Sequence, residues 1–176
     1  LKQLYNISIE KQQFPSNLKY ANVTPLFKKD ENIDKTNYRP ISILTSISKI
    51  FERLMFKQIT HFVERKISQY LCGFRKGYNT QHALISMIEK WKMYLEKHGH
   101  AGAVLMDLSK AFDTINHELL IAKLHAYGFE KSALMLINSY LKDRWHTTKI
   151  NSAYSTWKEL IEGVPQGSVL GPLLFN

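Results

Sequence analysis

The 176-residue sequence contains a single cysteine, Cys72. One cysteine excludes an intramolecular disulfide and a cysteine-rich zinc site, and it is typical of a reducing, intracellular compartment. No uninterrupted apolar segment approaches the roughly 20 residues that a membrane-spanning helix requires. The first residues also lack the pattern of a secretory signal. We therefore expect a soluble, intracellular protein without a membrane partner.

Acidic residues are scarce in the first part of the chain. The whole sequence has 24 Lys and Arg against 15 Asp and Glu, a net charge of +9. Residues 1–100 hold 17 basic and 8 acidic side chains, so they carry all of the excess, whereas residues 101–176 hold 7 of each. Positive charge concentrated in this way favours a polyanionic partner such as nucleic acid or nucleotide phosphate. A scattered, solvated lysine surface is the alternative.

Hydrophobic residues make up 44% of the sequence, which excludes a disordered tail. The length fits one domain or part of one, and no stop signal closes the last segment, so we expect a piece of a longer chain. Periodicity predicts an α+β fold, with no strict alternation of strand and helix. Helices are predicted over residues 1–13, 46–69, 80–98, 116–127 and 131–142, and strands over residues 19–26, 38–44, 101–108, 144–151 and 155–161.

Asp107 lies in the apolar segment 101–108, which has the composition of a buried strand. A buried carboxylate is costly unless it is paired or binds a metal. At the end of such a strand Asp107 could ligate Mg²⁺, a cation that prefers oxygen ligands. Capping of the following turn is the alternative for Asp107, and capping of the next helix is the better interpretation for Asp113.

A glycine-spaced turn follows at residues 163–171. Gly163, Gly167 and Gly171 allow close backbone approach, and Pro165 fixes the turn. Gln166 stands alone as an amide at its tip, where it could donate to or accept from a ligand. A tight turn that serves packing alone is the alternative.

Five blocks in this order resemble the reverse transcriptase of non-LTR (LINE-type) retrotransposons, and most of all its jockey-like group. They are KKD at residues 28–30, NYRPIS at 37–42, GFRKG at 73–77, DLSKAFD at 107–113 and GVPQGS at 163–168. The resemblance covers essentially the whole chain and implies the fingers and part of the palm of a right-hand polymerase, without the thumb. Residues 1 to about 100 would be mainly fingers, and residues from about 101 to 176 the start of the palm, its connecting helices and the Pro-Gln-Gly turn.

The resemblance also implies roles for individual residues. Asp107 matches the first catalytic aspartate, which with the backbone carbonyl of Leu108 would bind the Mg²⁺ ions of a two-metal site. The remaining positions divide into two sets. Lys28 or Lys29, Arg39, Phe112 and Gln166 would contact the incoming dNTP, with Phe112 excluding ribonucleotides by size, and Arg75 and Lys76 would lie along the template.

The implied partners are an RNA template, a DNA primer and dNTPs, and the complete protein would act in cytoplasm and nucleus. The family's other catalytic carboxylates lie in an Ala-Asp-Asp segment, but this sequence has no acidic residue after Glu162. We therefore expect the 176 residues alone to be inactive. The alternative function is a catalytically inactive remnant of a retroelement that still binds nucleic acid.

Overall fold

The computed structural model describes residues 1–176 as a mixed sheet with helices before, between and after its strands. The helices are α1 (Lys2–Glu10), α2 (Ser46–Val63), α3 (Thr80–His98), α4 (His117–Ala126), α5 (Lys131–Leu141) and α6 (Gly171–Phe175). The strands are β1 (Tyr20–Phe27), β2 (Tyr38–Ile43), β3 (Arg144–Ile150), β4 (Ala153–Tyr154) and β5 (Lys158–Leu160). The predicted α+β class is confirmed. None of the helices is both long and apolar enough to cross a membrane.

Strands from both parts of the chain form the sheet. β1 pairs antiparallel with β2, with Val23 opposite Ser42, so these two strands and the charged turn between them form a hairpin. On its other side β1 pairs parallel with β3, with Tyr20 opposite Trp145. β4 and β5 both pair antiparallel with β3, so two short strands stand where one strand over residues 155–161 is predicted. β2 is therefore an edge strand of the sheet.

The core lies among α2, α4 and α5. α2 buries Phe51, Met55, Ile59 and Val63, which are spaced by four residues and so follow one face of a helix. Phe14 stacks on Phe51 with ring centroids 5.3 Å apart. The same core takes in Tyr140 and Leu141 of α5 and, from the glycine-spaced turn, Val164 and Leu170. The turn thus belongs to the folded core rather than to a surface loop.

Asparagine caps α3 and α4, and the cap of α4 differs from the one expected. Asn79 caps α3 by accepting a hydrogen bond from the amide of His82, and Thr80 is the first helical residue. Asn116 caps α4, its Oδ1 lying 2.9 Å from the amide nitrogen of Leu119. The prediction that Asp113 caps this helix is therefore wrong. Asp113 lies four residues before α4 begins, beyond the reach of the amides in its first turn.

The prediction of a buried strand at residues 101–108 is also wrong. This segment has no regular secondary structure, and Val104 and Met106 are 87% and 89% exposed. An extended apolar segment becomes a strand only beside a neighbour that accepts its backbone hydrogen bonds, and none of β1 to β5 pairs with this segment.

α1 and α2 are shorter than predicted, and α3 is unusually exposed. α2 ends at Val63, not at residue 69, because the chain turns after Glu64 and the Lys66 amide donates to the Val63 carbonyl. α3 has the predicted length, with Gly99 at φ +75° behind its last residue. However, none of its residues is buried, and Trp91 on its apolar face is 38% exposed.

Candidate functional site

The Pro-Gln-Gly turn is attached to the edge of the sheet. The Gln166 carbonyl accepts a hydrogen bond of 2.7 Å from the amide of Ser42 in β2. Gly167, at φ +102°, makes this approach possible, since a Cβ atom there would lie 2.9 Å from the Ser42 carbonyl oxygen. The backbone of Gln166 is thus fixed against β2, and its side chain is half-buried beside the sheet.

The same turn is also attached to the segment 107–113. The Val164 amide donates to the Phe112 carbonyl at 2.8 Å, and the Gly163 amide donates to the Ile115 carbonyl at 2.8 Å. The buried ring of His117 lies 2.7 Å from the Gly163 carbonyl oxygen. The Gln166 side-chain amide donates to Asp113 Oδ1 at 3.5 Å, the outer limit for such a bond. Two sequence blocks 50 residues apart therefore meet here.

A cavity of about 240 Å³ lies beside this junction. Ser42, Asp113 and Gln166 line it together with Val164 and Pro165 of the turn, and the sheet supplies further wall residues that include Arg144 and His146. Burial lowers the pKa of His146, and the charge of Lys158 lowers it further. The cavity wall therefore combines one carboxylate and one amide with basic and apolar side chains.

Lys19 is a second perturbed base on the cavity wall. Burial lowers the pKa of the Lys19 ammonium, and this effect outweighs the opposing influence of Asp143, whose carboxylate lies 3.8 Å from Lys19 Nζ. Arg144 is 2% exposed and donates from Nη1 to the Tyr140 carbonyl at 2.9 Å, while its guanidinium lies 4.8 Å from the centre of the Tyr140 ring. Contacts within the fold therefore hold both Lys19 and Arg144 in place.

Asp107 and Leu108 lie outside the cavity and are exposed. Phe112 is half-buried, with its ring centroid 5.9 Å from that of Phe74 and 5.1 Å from that of Phe175. The backbone carbonyl of Phe112 accepts the hydrogen bond from the Val164 amide. The structure thus places Phe112 at the junction with the turn but does not bring Asp107 to it.

The predicted phosphate-contacting residues lie on the β1–β2 hairpin. Lys28 and Lys29 are exposed at its tip, and Lys29 Nζ lies 3.7 Å from the Asp30 carboxylate. Arg39 is exposed on β2 opposite Leu26, three residues before Ser42. One hairpin therefore carries all three cations, and its second strand also holds the Gln166 backbone.

The two residues predicted to contact the template differ in their surroundings: Arg75 is hydrogen-bonded within the chain, and Lys76 is exposed. Arg75 is half-buried, and its Nη1 donates to the carbonyls of Ser68 and Leu71 at 3.1 and 3.3 Å. Its guanidinium also lies 4.3 Å from the centre of the Tyr78 ring. Lys76 is exposed. Arg75 is thus engaged within the chain, whereas Lys76 projects to solvent.

Sequence reasoning missed Glu52 of α2, whose side chain is 0% exposed. Its carboxylate accepts hydrogen bonds from the amides of Val169 and Leu170, directly after the Pro-Gln-Gly turn. One signal could have revealed it, because Glu52 occupies the apolar face of α2 between Phe51 and Met55, where a charged residue requires a partner.

Residues 27–176 match the family described as "Reverse transcriptase (RNA-dependent DNA polymerase)". The chain belongs to the reverse transcriptase family. It is 33% identical over 179 residues to the "Probable RNA-directed DNA polymerase from transposon BS" of Drosophila melanogaster, covering 100% of this chain and 20% of that protein. It is 34% identical to the polymerase of the same species' transposon X-element, covering 98% of this chain and 19% of that protein. The polymerase of the mobile element jockey of Drosophila funebris is 31% identical, covering 98% of this chain and 19% of that protein.

The resemblance to jockey-like reverse transcriptases is therefore confirmed, and the chain spans about a fifth of the length of the curated relatives it matches. These relatives are described as polymerases of mobile elements, which does not favour the alternative of an inactive remnant.

Reverse transcriptases use divalent metal ions. The residues present do not complete a site for them, because no group of three or more His, Cys, Asp and Glu side chains in residues 1–176 could hold a metal ion. Asp107 is exposed, and the apolar segment around it is not ordered as a strand.

Proposed function

We propose that these residues are part of the RNA-directed DNA polymerase of a non-LTR retrotransposon, which adds dNTPs to a DNA 3′-hydroxyl on an RNA template. The observation that carries this proposal is the Pro-Gln-Gly turn, which joins the β2 edge through Ser42 and the Phe112 backbone through Val164. Two separate blocks of a reverse transcriptase sequence thereby meet beside one cavity.

In this proposal the incoming dNTP lies near Gln166, whose side-chain amide has only a long bond to Asp113 and so can turn to a ligand. Lys28, Lys29 and Arg39 extend from the same hairpin and neutralise the triphosphate, since a guanidinium fork and ammonium groups suit phosphate oxygens. Phe112 would exclude a 2′-hydroxyl by size. Catalysis by these side chains rests on positioning and charge neutralisation.

The template would lie along the segment 73–77. Lys76 is free to contact its phosphates, whereas Arg75 shapes the loop through the carbonyls of Ser68 and Leu71. In the proposed division, residues 1 to about 100 are mainly fingers and residues from about 101 onward begin the palm. β3, β4 and β5 nevertheless share the sheet with β1 and β2, so the two parts form one structural unit.

We propose Mg²⁺ as the metal, with Asp107 and the Leu108 carbonyl as two of its ligands. The metal would stabilise the charges that develop on the attacking and leaving oxygens. Because its donor set is incomplete, the 176-residue chain alone would not catalyse nucleotide addition.

A single substitution tests the proposal in a polymerase that contains this segment. Asp107→Asn should reduce primer extension by more than about 100-fold, because the amide cannot replace the charge of a metal ligand. RNA binding, measured by fluorescence anisotropy, should change by no more than about twofold. Glu159→Gln makes the same chemical change at an exposed position on β5 and should retain full extension. Extension that persists in Asp107→Asn would contradict the assignment.

A further inference from the structure

Glu52 carries a buried carboxylate that the predicted site does not use. It lies on the core-facing side of α2, is 0% exposed and has no basic side chain within 4.0 Å. Burying a carboxylate is unfavourable unless hydrogen-bond donors satisfy its oxygens. The other large buried side chains of α2 are apolar. The hydrogen-bond donors around Glu52 therefore indicate what its carboxylate contributes.

These donors come mainly from the chain that follows the Pro-Gln-Gly turn. Glu52 Oε2 accepts from the Val169 amide at 2.7 Å and from the Leu170 amide at 3.3 Å. Glu52 Oε1 accepts from the Ser48 hydroxyl at 3.1 Å, one helical turn earlier in α2. Hydrogen bonds to a charged acceptor are stronger than neutral ones, and a buried amide without an acceptor is destabilising. Leu170 is itself 0% exposed, so its amide is shielded from bulk water and finds no solvent acceptor in place of Glu52 in the folded chain.

Gln166 is thereby held from both sides by one continuous segment. Ser42 in β2 donates to the Gln166 carbonyl, and Glu52, ten residues later in α2, holds the amides three and four residues after Gln166. Between these two attachments the Ser168 amide donates to the Pro165 carbonyl and closes the turn. The strand–helix unit from β2 to α2 therefore fixes the backbone on both sides of Gln166.

We propose that Glu52 is a positioning residue for the nucleotide-binding turn: its carboxylate fixes the backbone after Gln166 and so sets the side chain that contacts the incoming nucleotide. The second half of this statement rests on the proposed function of Gln166. The first half concerns the turn alone and can be measured without any nucleotide.

Amide hydrogen exchange in the 176-residue chain tests the first half. Glu52→Gln keeps the size of the side chain but removes its charge and one acceptor oxygen. We expect protection of the Val169 and Leu170 amides to fall at least about tenfold. The Ser42 amide should lose protection as well, since its acceptor is the Gln166 carbonyl on the other side of the turn. The Glu64 amide, which donates to Thr60 within α2, should keep its protection and so report an intact helix.

Glu64→Gln is the matched control, because Glu64 is exposed at the C-terminus of the same helix. It should leave all of these amides unchanged. Unchanged exchange at Ser42 in Glu52→Gln would overturn the proposal, since a role confined to local packing would affect Val169 and Leu170 but not the opposite side of the turn.

Calorimetric titration with dATP in the presence of Mg²⁺ tests the second half. Glu52→Gln should weaken binding about tenfold, and in the Gln166→Ala background the same substitution should have little further effect. Equal affinities of Glu52→Gln and the unmodified chain would overturn the positioning of Gln166. If the unmodified chain itself does not bind dATP, the proposed nucleotide site fails, and the Ser42 exchange alone then decides whether Glu52 fixes the turn.

Ser48→Ala is the second variant, for use if Glu52→Gln does not fold. It removes only the hydrogen bond to Glu52 Oε1 and leaves the two backbone amides in contact with Oε2. A smaller loss of protection at the same three amides is expected. Loss spread evenly over all helices would instead identify Glu52 and Ser48 as general core residues and would overturn the proposal.

Discussion

Gly163 shows how a single residue allows two segments to approach. Its backbone lies at φ +78°, a conformation that residues with a Cβ rarely adopt, and a Cβ there would lie 2.6 Å from the Phe112 carbonyl oxygen and 2.7 Å from the Asp113 Cα. The obstacle is backbone rather than a movable side chain. The junction beside the cavity therefore requires glycine at this position for two separate reasons.

Gly163→Ala should accordingly lower the free energy of unfolding by about 2–4 kcal/mol, measured by urea denaturation. Gly73→Ala is the control, because a Cβ at Gly73 meets no atom within 4 Å and its φ is not in the left-handed region. The control should change stability by less than about 0.5 kcal/mol. Equal stability of the two variants would mean that the Phe112–Val164 contact does not hold the turn as described.

Tyr140 makes the free energy of unfolding depend on pH in the alkaline range. Complete burial, reinforced by the nearby Glu52 carboxylate, raises the pKa of the Tyr140 phenol well above its ordinary value of 10.0. The folded chain then keeps this proton while the unfolded chain loses it. The contribution of Tyr140 is therefore fully present below pH 10 and is lost as the pH rises above 10.

Urea denaturation at pH 8 and pH 11 should show that Tyr140→Phe loses less stability over this interval than the unmodified chain does. Tyr127→Phe, at a tyrosine that is 44% exposed, is the matched control and should follow the unmodified chain. The difference isolates Tyr140 from other groups such as Lys19, whose lowered pKa acts in the opposite direction. Identical pH dependence of all three proteins would contradict the buried phenol.

At the scale of elements, α4 depends on a cap that the sequence pattern misplaced. Asn116 Oδ1 accepts from the Leu119 amide, so Asn116→Ala should cost about 1 kcal/mol in unfolding free energy. Asn116→Asp keeps an acceptor at the same place and should restore stability, which can be measured by thermal denaturation of both variants. If Asn116→Ala were neutral, another residue would have to cap the helix.

The elements that could be predicted are those determined locally. α2, α3, α4 and α5 begin beside a capping residue or follow an apolar stripe, and β1 and β2 flank a polar turn, so short stretches of sequence suffice. The segment 101–108 has the composition of a buried strand but no paired neighbour in the sheet. Strand formation depends on that non-local partner, which composition does not reveal.

At the scale of the whole molecule, the same distinction separates the predicted site residues. The turn that carries Gln166 meets the Phe112 backbone because glycines allow backbone contacts that the turn motif already suggested. Asp107 remains exposed, since its place depends on the segment 101–108. Glu52 was not found at all, because its partners lie more than 100 residues away in the chain. Local motifs thus identified the turn, but not the helix that holds it.

The charge asymmetry leads to a test of nucleic-acid binding by the 176-residue chain. Lys28, Lys29 and Arg39 are exposed on one hairpin, where phosphate contacts would release counterions. Affinity for an RNA–DNA duplex should therefore fall steeply with salt, and the double change of Lys28 and Lys29 to Gln should reduce the slope of log affinity against log salt by about 2. The control is the double change of Lys123 and Lys131 to Gln, at exposed positions on α4 and α5.

That control removes the same net charge from residues 101–176, in which acidic and basic side chains balance. It should therefore change the slope by less than about 0.5 if contact with phosphate is confined to the hairpin. Fluorescence anisotropy across a series of salt concentrations measures both slopes directly. Equal reductions in the two variants would mean that binding follows net charge alone, in which case the exposed hairpin would have no particular place in contacting the nucleic acid.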